Sequence, residues 1–307
     1  MKIVYLGTPN FSVEPLKRIV DDGKHQVIAV VCNKDKPFGR KKVLTPPPVK
    51  VYALSKGIPV YQYDKIRVEG VNDLQNLKPD LMITCAFGQI LSKEILDIPK
   101  LGVINIHASL LPKYRGASPI HYALLNGETK TGISIMKTDV GIDTGDVLLQ
   151  KEIDIFPKET CGELFDRLSL LGADCILKAL ELIDGGKADF IKQDDLLATH
   201  TKIIKKEDAL IDWSKPAEFI FNQVRAFNPS PVAYTFYNGE PFKIFDCDVV
   251  DGTGNIGQVI INDNNMVIAC GDKAISLNSV QKAGGKPMQI SDFLRGNKIE
   301  KGFIFGK

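Results

Sequence analysis

Short apolar segments alternate with amphipathic segments over the first 130 residues, and this alternation limits the possible folds more than any other feature. The apolar segments are nearly continuous runs of Val, Ile, Leu and Ala, as in strands that are buried on both faces of a parallel sheet. The first two segments between them begin near Ser or Pro and end at Gly, as helices commonly do. The predicted strands are residues 2–8, 26–33, 58–62, 80–88 and 101–108, and the predicted helices are residues 12–23, 47–57 and 71–79.

Short alternating runs after about residue 206 predict a second domain of a different class. Asn-Gly and Asp-Asn-Asn separate these runs, and such sequences are typical of β-hairpin turns. A long amphipathic segment, 161–186, precedes them and ends at Gly-Gly, as a helix does. We predict an α/β fold with a Rossmann-like parallel sheet and helices on both faces, followed by a C-terminal all-β, OB-like barrel. The predicted domains are the α/β domain over 1–188, a linker over 189–206 and the β-barrel domain over 207–307.

Composition argues against several kinds of protein. The net charge of the 307-residue chain is +2, so binding to nucleic acid requires a local basic patch. The six cysteines form no C-x-x-C pair, which argues against a zinc ribbon or a thioredoxin-like site. No apolar stretch is long enough to span a bilayer, and the first residues are predicted to form a strand rather than a signal peptide. We expect a cytoplasmic protein without membrane contact, and a monomer.

Two polar side chains, Asn105 and His107, lie at the end of the predicted strand "VINIHA". Residues two apart in a strand face the same side, and sheets of this kind bind their ligands at the carboxyl ends of strands. An amide and an imidazole can together hold a carbonyl oxygen that gains charge and transfer a nearby proton. The alternative is that both side chains only cap the strand and bond to backbone.

A Gly- and Asp-rich segment, "TDVGIDTGD" (138–146), offers an acidic partner for the imidazole. Asp143 is the best candidate, because a carboxylate beside His107 would orient the ring and favour its charged form. The segment lacks the EF-hand pattern and its terminal Glu, and no metal is predicted. Gly and Asp are also ordinary turn residues, which is the alternative for this segment.

A basic segment, "NKDKPFGRKKVLTPPPVK" (33–50), carries six basic residues and one acidic residue. It follows a strand on the same rim of the predicted sheet as Asn105 and His107. We predict a long loop without secondary structure, and a mobile basic loop suits a phosphate backbone. A solvated surface loop is the alternative. The region 203–307 shows no such bias, with 12 basic and 12 acidic residues, and the chain contains neither G-x-G-x-x-G nor a Walker A motif.

The stretches "INIHASLLPKYRGASPI" and "TDVGIDTGDVLL" together resemble the folate-dependent formyltransferases. The resemblance implies transfer of a formyl group from 10-formyltetrahydrofolate to an amine, with Asn105, His107 and Asp143 as the catalytic residues and no metal. Related purine-pathway enzymes carry an arginine where this chain has Gln89, so the resemblance does not fix the contact with the folate tail. The implied folate-binding residues are Phe87, Gly88, Gln89, Ile90, Leu91 and Asp139.

The basic "FGRKK" loop and the junction "ATHTKIIKKEDALIDW" resemble one branch of this family. That branch formylates the α-amino group of methionine on initiator tRNA, for translation initiation in the bacterial cytoplasm. The resemblance implies that the domain over 207–307 takes part in tRNA binding. The implied contacts with methionyl-tRNA, including its acceptor stem, are Phe11, Arg40, Lys41, Lys42, Ser109, Leu110, Leu111, Pro112 and Arg115.

Three other functions fit parts of the pattern. A related enzyme could formylate a small amine, such as glycinamide ribonucleotide or an amino sugar, but it would not need the basic loop or the β domain. A second could hydrolyse the formyl group to formate with a similar set of side chains. A third could be an RNA-binding module without activity, although binding alone does not require Asn105, His107 and Asp143 together.

Overall fold

The computed structural model describes residues 1–39, 41–263 and 265–306. Contacts divide the chain into two compact units. The first unit comprises Met1–Pro119, Lys130–Asp154 and Phe165–Thr201, and the second comprises 120–129, 155–164 and the chain from Lys202 onward. The assignment of functions to 1–188, 189–206 and 207–307 stays a prediction.

The first unit is built on a seven-stranded sheet in the order β10-β9-β7-β6-β1-β2-β5. The strands of this unit are β1 (Lys2–Gly7), β2 (Gln26–Cys32), β3 (Lys36–Phe38), β4 (Val43–Thr45), β5 (Val60–Gln62), β6 (Leu81–Cys85), β7 (Val103–His107), β8 (Arg115–Gly116), β9 (Lys130–Lys137), β10 (Val147–Asp154) and β11 (His200–Thr201). Strands β5, β2, β1, β6 and β7 are parallel, whereas β9 pairs antiparallel with β7, and β10 pairs antiparallel with β9. The predicted parallel sheet is confirmed, with an antiparallel pair at one edge.

Helices connect and cover these strands. They are α1 (Val13–Asp22), α2 (Pro48–Ser55), α3 (Ile66–Glu69), α4 (Val71–Leu77), α5 (Lys93–Leu96) and, from Phe165 onward, α7 (Cys161–Asp184), with 3-10 turns at Asn10–Ser12 and Asp195–Leu197. The second unit holds α6 (Pro119–Leu125) from Ile120 onward and a 3-10 turn at Lys206–Ala209. The predicted helices 12–23, 47–57, 71–79 and 161–186 are confirmed with ends shifted by one or two residues. Start and stop signals worked here because Pro48 begins α2 and Gly23, with φ +68°, ends α1.

Both faces of the sheet are buried under helices. On one face, Val4 of β1 and Met82 of β6 belong to an apolar cluster with Leu74 of α4 and Ile95 of α5. On the other face, Gly172 of α7 lies close to the side chains of the sheet residues Ile106 and Ile133 and of Pro15 in α1. Burial on both faces explains why these strands read as continuous apolar runs.

The second unit contains a six-stranded antiparallel sheet, which confirms the predicted C-terminal β domain. Its strands and helices are β12 (Tyr234–Tyr237), β13 (Glu240–Val250), β14 (Val259–Asn262), β15 (Met266–Ala269), β16 (Ala274–Lys282), β17 (Met288–Gln289), α8 (Ala217–Ala226) and α9 (Ile290–Gly296). The two helices were not predicted. Helix α8 buries Ile220 and Val224, four residues apart on one face, so a helical signal was present in the sequence.

All six cysteines are free and buried. Burial raises the pKa of the Cys85 thiol to about 12, so this thiol is neutral near pH 7. Buried free cysteines of this kind behave as small apolar residues. Over the described ranges, every helix is too short or too polar to cross a membrane.

Replacing Gly132 by Ala should destabilise the first unit. An added Cβ would overlap the Lys151 carbonyl oxygen across the β9–β10 pair and would lie 2.6 Å from Leu110 Cδ2. Overpacking of this kind costs about 1–3 kcal/mol. We expect a lower midpoint of thermal unfolding, measured by circular dichroism. The control is Gly296→Ala, because no atom lies within 4 Å of a Cβ added there; an equal loss in both variants would contradict the steric explanation.

Candidate active site

Strand β7 brings Asn105 and His107 to one side of the sheet. The strand lies between β6 and β9, and its register pairs Asn105 with Thr84. The Thr84 hydroxyl donates to Asn105 Oδ1 at 3.0 Å, which leaves the amide nitrogen of Asn105 directed elsewhere. His107 is almost fully buried, with 5% of its surface exposed. Both side chains are therefore held by neighbours rather than free to rotate.

Each ring nitrogen of His107 faces an oxygen acceptor. Nε2 lies 3.0 Å from the carbonyl oxygen of Tyr114, and Nδ1 lies 3.5 Å from Asp143 Oδ2. A backbone carbonyl can only accept, so Nε2 carries the hydrogen in this contact. Only the doubly protonated ring can donate to both acceptors at once.

The carboxylate of Asp143 is contacted by three groups of the site. Asn105 Nδ2 donates to its Oδ1 at 3.4 Å, and the backbone N–H of Gly116 donates to its Oδ2 at 2.8 Å. His107 approaches the same Oδ2. Asp143 has φ +53°, a left-handed conformation that Asp tolerates better than most residues. Of the three residues predicted as catalytic, Asn105 and His107 thus both contact the third, Asp143.

The loop that carries Asp143, residues 138–146, is closed by its own side chains. Asp139 Oδ1 accepts from the Gly141 N–H at 2.9 Å and from the Thr144 hydroxyl at 2.7 Å. A Cβ at Gly145 would overlap the Lys137 carbonyl oxygen, so the return of the loop to β10 requires glycine. Asp139 and Gly145 therefore serve as turn residues, whereas the Asp143 side chain contacts Asn105 and His107.

Arg115 is buried within the first unit, with 3% of its surface exposed. Its Nε donates to Gln193 Oε1 at 3.0 Å, and its outer nitrogen pairs with Asp195 at 2.8 Å. The predicted contact of Arg115 with the acceptor end of tRNA stays a prediction. In this structure its guanidinium is engaged by protein groups.

The segment from Ser109 to Pro112 forms the turn after β7. The Ser109 hydroxyl donates to the Lys113 carbonyl oxygen at 2.7 Å, and Ser134 of β9 donates to the Ser109 carbonyl oxygen at 2.6 Å. Leu111 is buried, and its N–H donates to the Ser134 hydroxyl at 3.1 Å. These bonds fix the path from β7 to Tyr114 and Gly116. The roles of Leu110 and the other residues of this segment in substrate binding stay predictions.

The predicted folate segment 87–91 follows β6 at the carboxyl edge. Phe87 and Leu91 are buried, whereas Ile90 is largely exposed. Gly88 has φ +79°. The Phe87 carbonyl oxygen accepts from Thr8 and from Asn33, which end the neighbouring strands β1 and β2. The segment is therefore tied to the ends of two strands.

Gln89 uses its whole carboxamide inside the protein. Its Nε2 donates to Asn33 Oδ1 at 2.7 Å and to the Tyr63 carbonyl oxygen at 3.1 Å, and its Oε1 accepts from the Ile66 N–H at 2.8 Å. At this position the side chain positions the segment. Contact of Gln89 with folate stays a prediction.

The basic segment 33–50 forms a hairpin of β3 and β4, so the prediction of a loop without secondary structure was wrong. Lys41 and Lys42 are exposed between the two strands. Arg40 lies outside the described residues. Phe11 is buried and packs edge-on against Phe165, with ring centroids 5.1 Å apart. Its predicted contact with the methionine side chain stays a prediction.

Sequence reasoning missed three groups in the site. Two are backbone atoms, the Tyr114 carbonyl oxygen and the Gly116 N–H, and residue type carries no signal for them. The third is Gln193, which was placed in the predicted linker 189–206. The two threonines of the "ATHT" run (198–201) are a weak strand signal in its segment.

The arrangement can stabilise negative charge on an oxygen and move a proton. A carboxamide N–H and an imidazole lie side by side at the carboxyl edge of the sheet, with a carboxylate in contact with both. Among the described residues, no group of three or more His, Cys, Asp or Glu side chains could hold a metal ion. The carboxamide, the imidazole and the carboxylate are the groups that acyl transfer through a tetrahedral oxyanion requires.

Comparison with known proteins agrees with this chemistry. The formyl transferase family model matches residues 1–180, and the model of the formyl transferase C-terminal domain matches residues 203–298. A methionyl-tRNA formyltransferase from Bacillus licheniformis is 46% identical, over 99% of this chain and 98% of that protein. Another from Bacillus subtilis is 45% identical, over 99% and 98%.

Two solved structures share the fold at low identity. An N-formyltransferase from Helicobacter canadensis, in complex with folinic acid and dTDP-3-aminofucose, has a TM-score of 0.69 and 22% identity over 92% of this chain and 99% of that chain. HypX from Aquifex aeolicus in complex with tetrahydrofolic acid has a TM-score of 0.66 and 17% identity over 99% and 50%. With full-length relatives at this identity and both family models matched, the chain belongs to the formyltransferase family, among the methionyl-tRNA formyltransferases.

Proposed function

We propose that this protein transfers the formyl group of 10-formyltetrahydrofolate to the α-amino group of methionine on initiator tRNA, in the bacterial cytoplasm. The observation that carries the proposal is the contact of both Asn105 and His107 with Asp143, in a chain that matches methionyl-tRNA formyltransferases over its full length. The contact supplies the chemistry, and the full-length match supports the choice of acceptor.

The reaction makes one C–N bond and breaks another. The amino nitrogen of methionine attacks the formyl carbon, and the carbonyl oxygen becomes an oxyanion as the tetrahedral intermediate forms. The intermediate collapses when the bond from this carbon to the folate nitrogen breaks and the electron pair stays on that nitrogen. One proton leaves the attacking amine and one proton reaches the folate nitrogen. The products are formyl-methionyl-tRNA and tetrahydrofolate.

The roles of the three side chains follow from their partners. Asn105 Nδ2 has a second N–H besides the one that faces Asp143, and we assign this N–H to the developing oxyanion. His107 donates from Nδ1, which leaves its 3.5 Å contact with Asp143 as the oxyanion forms. Asp143 holds both groups in place before the reaction. Removal of one such donor costs about 3 kcal/mol of transition-state stabilisation. His107 can also relay the proton from the amine toward the folate nitrogen.

We propose that the folate co-substrate binds at the same carboxyl edge of the sheet. The buried side chains of Phe87 and Leu91 supply apolar support, and the exposed Ile90 offers an apolar surface for the pterin. The family resemblance adds the backbone of the loop 138–146 as a source of hydrogen bonds to the pterin. In this proposal the formyl group lies beside Asn105 and His107, as the reaction requires.

The β3–β4 hairpin is the proposed contact with the acceptor stem. Lys41 and Lys42 are exposed on it, and Arg40 adds a third basic residue in the sequence. Exposed cations of this kind neutralise phosphates and bind without reading bases. The domain over 207–307 is proposed to take part in tRNA binding.

The acceptor is tested by competition among amines. The protein is given 10-formyltetrahydrofolate with methionyl initiator tRNA, free methionine, glycinamide ribonucleotide or an amino-sugar nucleotide, and products are identified by mass spectrometry. We expect formyl-methionyl-tRNA as the main product. Formylation of a small amine alone would replace the proposed acceptor, and release of formate without an acceptor would indicate hydrolysis.

Replacing His107 or Asn105 by Ala should lower kcat by about 10²–10³-fold, because each removes one donor to the oxyanion. Steady-state kinetics with methionyl-tRNA measure the effect. The matched control is His25→Ala, since His25 lies before β2 at the opposite edge of the sheet and contacts the N-terminal amine. Rates within a factor of two of the parent for both site variants would exclude the proposed roles.

Replacing Lys41 and Lys42 together by Ala should weaken tRNA binding and make it less sensitive to salt. Each lost phosphate contact lowers the slope of log K against log salt by about 0.9 on a duplex. Titration of tRNA at several salt concentrations measures this slope, while the KM for the folate should not change. The control removes two exposed lysines, Lys2 and Lys100, next to the amino ends of β1 and β7. An equal slope in both double variants would mean that the hairpin is only solvated.

A further inference from the structure

We infer that Gln193 is a positioning residue, one that holds the Asp143 carboxylate in its working orientation. It belongs to a segment, residues 191–201, which we call the strap. The inference rests on the proposed function, because it assigns Gln193 a part in the same site. Gln193 does not reach the reacting atoms and acts through Asp143.

Gln193 bonds directly to the backbone of the loop that carries Asp143. Its Nε2 donates to the Asp143 carbonyl oxygen at 2.9 Å and to the Gly145 carbonyl oxygen at 2.6 Å. The side chain is buried, with 8% of its surface exposed, so water does not readily replace these bonds. Two bonds on either side of Thr144 fix the orientation of the peptide groups next to the left-handed Asp143.

The other end of the Gln193 carboxamide is also occupied. Its Oε1 accepts from Arg115 Nε at 3.0 Å, and the next residue along the chain, Gly116, donates its N–H to Asp143 Oδ2. Gln193 therefore bridges the two loops whose contact defines the site. Gln193 thus bonds to the Asp143 carbonyl oxygen and also to Arg115, the residue before Gly116, whose N–H binds the Asp143 carboxylate. Both bonds help to orient that carboxylate.

The strap is itself attached to both loops by backbone bonds. Ile191 pairs with Val147, just after the Asp143 loop, through N–H···O bonds of 2.8 and 2.9 Å. The strand β11 pairs in parallel with β8, and the Arg115 N–H donates to the Thr199 carbonyl oxygen at 2.8 Å. Between these attachments Leu196 is 94% exposed, so apolar burial does not hold the middle of the strap. Gln193 is the buried side chain that connects it to the site.

The approach of β11 to β8 leaves no space for a side chain at Gly116. Its φ is +105°, and an added Cβ would lie 2.6 Å from the Thr201 carbonyl oxygen. The strap therefore fixes the position of the same N–H that reaches Asp143. The strap therefore positions the Asp143 carboxylate in two independent ways: through the packing of Thr201 against Gly116, and through the bonds of Gln193 to the Asp143 loop.

Gln193→Glu tests the inference because it keeps the size of the side chain and its bond from Arg115. A carboxylate cannot donate, so the bonds to the carbonyl oxygens of Asp143 and Gly145 are lost. We expect kcat to fall by about 10- to 100-fold, since small misplacement of a catalytic group has effects of this size. The KM values for folate and tRNA should stay within about twofold of the parent, because uniform binding is untouched. Gln193→Met, which is neutral and of similar length, should give the same result if the charge of Glu disturbs folding.

The control within the strap is Asp195→Asn. Asp195 is largely exposed, and its side chain pairs with the outer nitrogen of Arg115. Asn keeps an oxygen that can accept there, so the kinetics of this variant should match those of the parent. A second readout needs no substrate: the amide NMR signal of Gly116, whose N–H donates to Asp143, should shift in both Gln193 variants and not in Asp195→Asn.

The outcomes separate the inference from the proposed function. If the parent makes no formyl-methionyl-tRNA, the proposed function fails, whereas the Gly116 signal still decides whether Gln193 holds the carboxylate. Unchanged kcat and an unchanged Gly116 signal in folded Gln193 variants would overturn the inference. A rise of KM with kcat unchanged would also overturn it, because Gln193 would then serve binding rather than the orientation of Asp143.

Discussion

The site depends on a single carboxylate that receives hydrogen bonds from separate parts of the chain. Asn105 and His107 come from the middle of the sheet, and the Gly116 N–H comes from the turn that follows. A partly buried acceptor of this kind depends on its donors remaining in place. The loop 138–146, the turn after β7 and the segment 191–201 must therefore fold together before the site exists. The proposed catalytic chemistry and the local stability of these loops rest on the same bonds.

Much of the fold and the centre of the site could be predicted from the sequence. Strands buried on both faces leave a continuous apolar signal, and helices bounded by Pro48 or Gly23 leave start and stop signals. The spacing of Asn105 and His107 follows from the two-residue period of a strand. These features depend on local residue types, so they can be seen without the structure.

The remainder depends on contacts that residue type does not encode. The bond from Gly116 uses a backbone group, and any residue would show the same N–H in a sequence. Gln193 lies fifty residues after Asp143, and its polar neighbours made the region look like a linker. The hairpin over 36–45 was missed for a related reason, since its strands are only three residues long and Val43 and Leu44 are exposed. Tertiary pairing decides such short elements.

The direction of β9 sets a limit on the length of the loop 138–146. Because β9 is antiparallel to β7, it ends opposite Ile104, and the chain must travel back along β7 to bring Asp143 to His107. At about 3.3 Å per extended residue, three residues are the minimum for this return, and the chain provides six, residues 138–143. The extra length forms the turn that Asp139 closes with Thr144 and in which Asp143 takes its left-handed conformation. The bonds inside this turn, rather than the bare reach of the backbone, therefore set the position of the carboxylate.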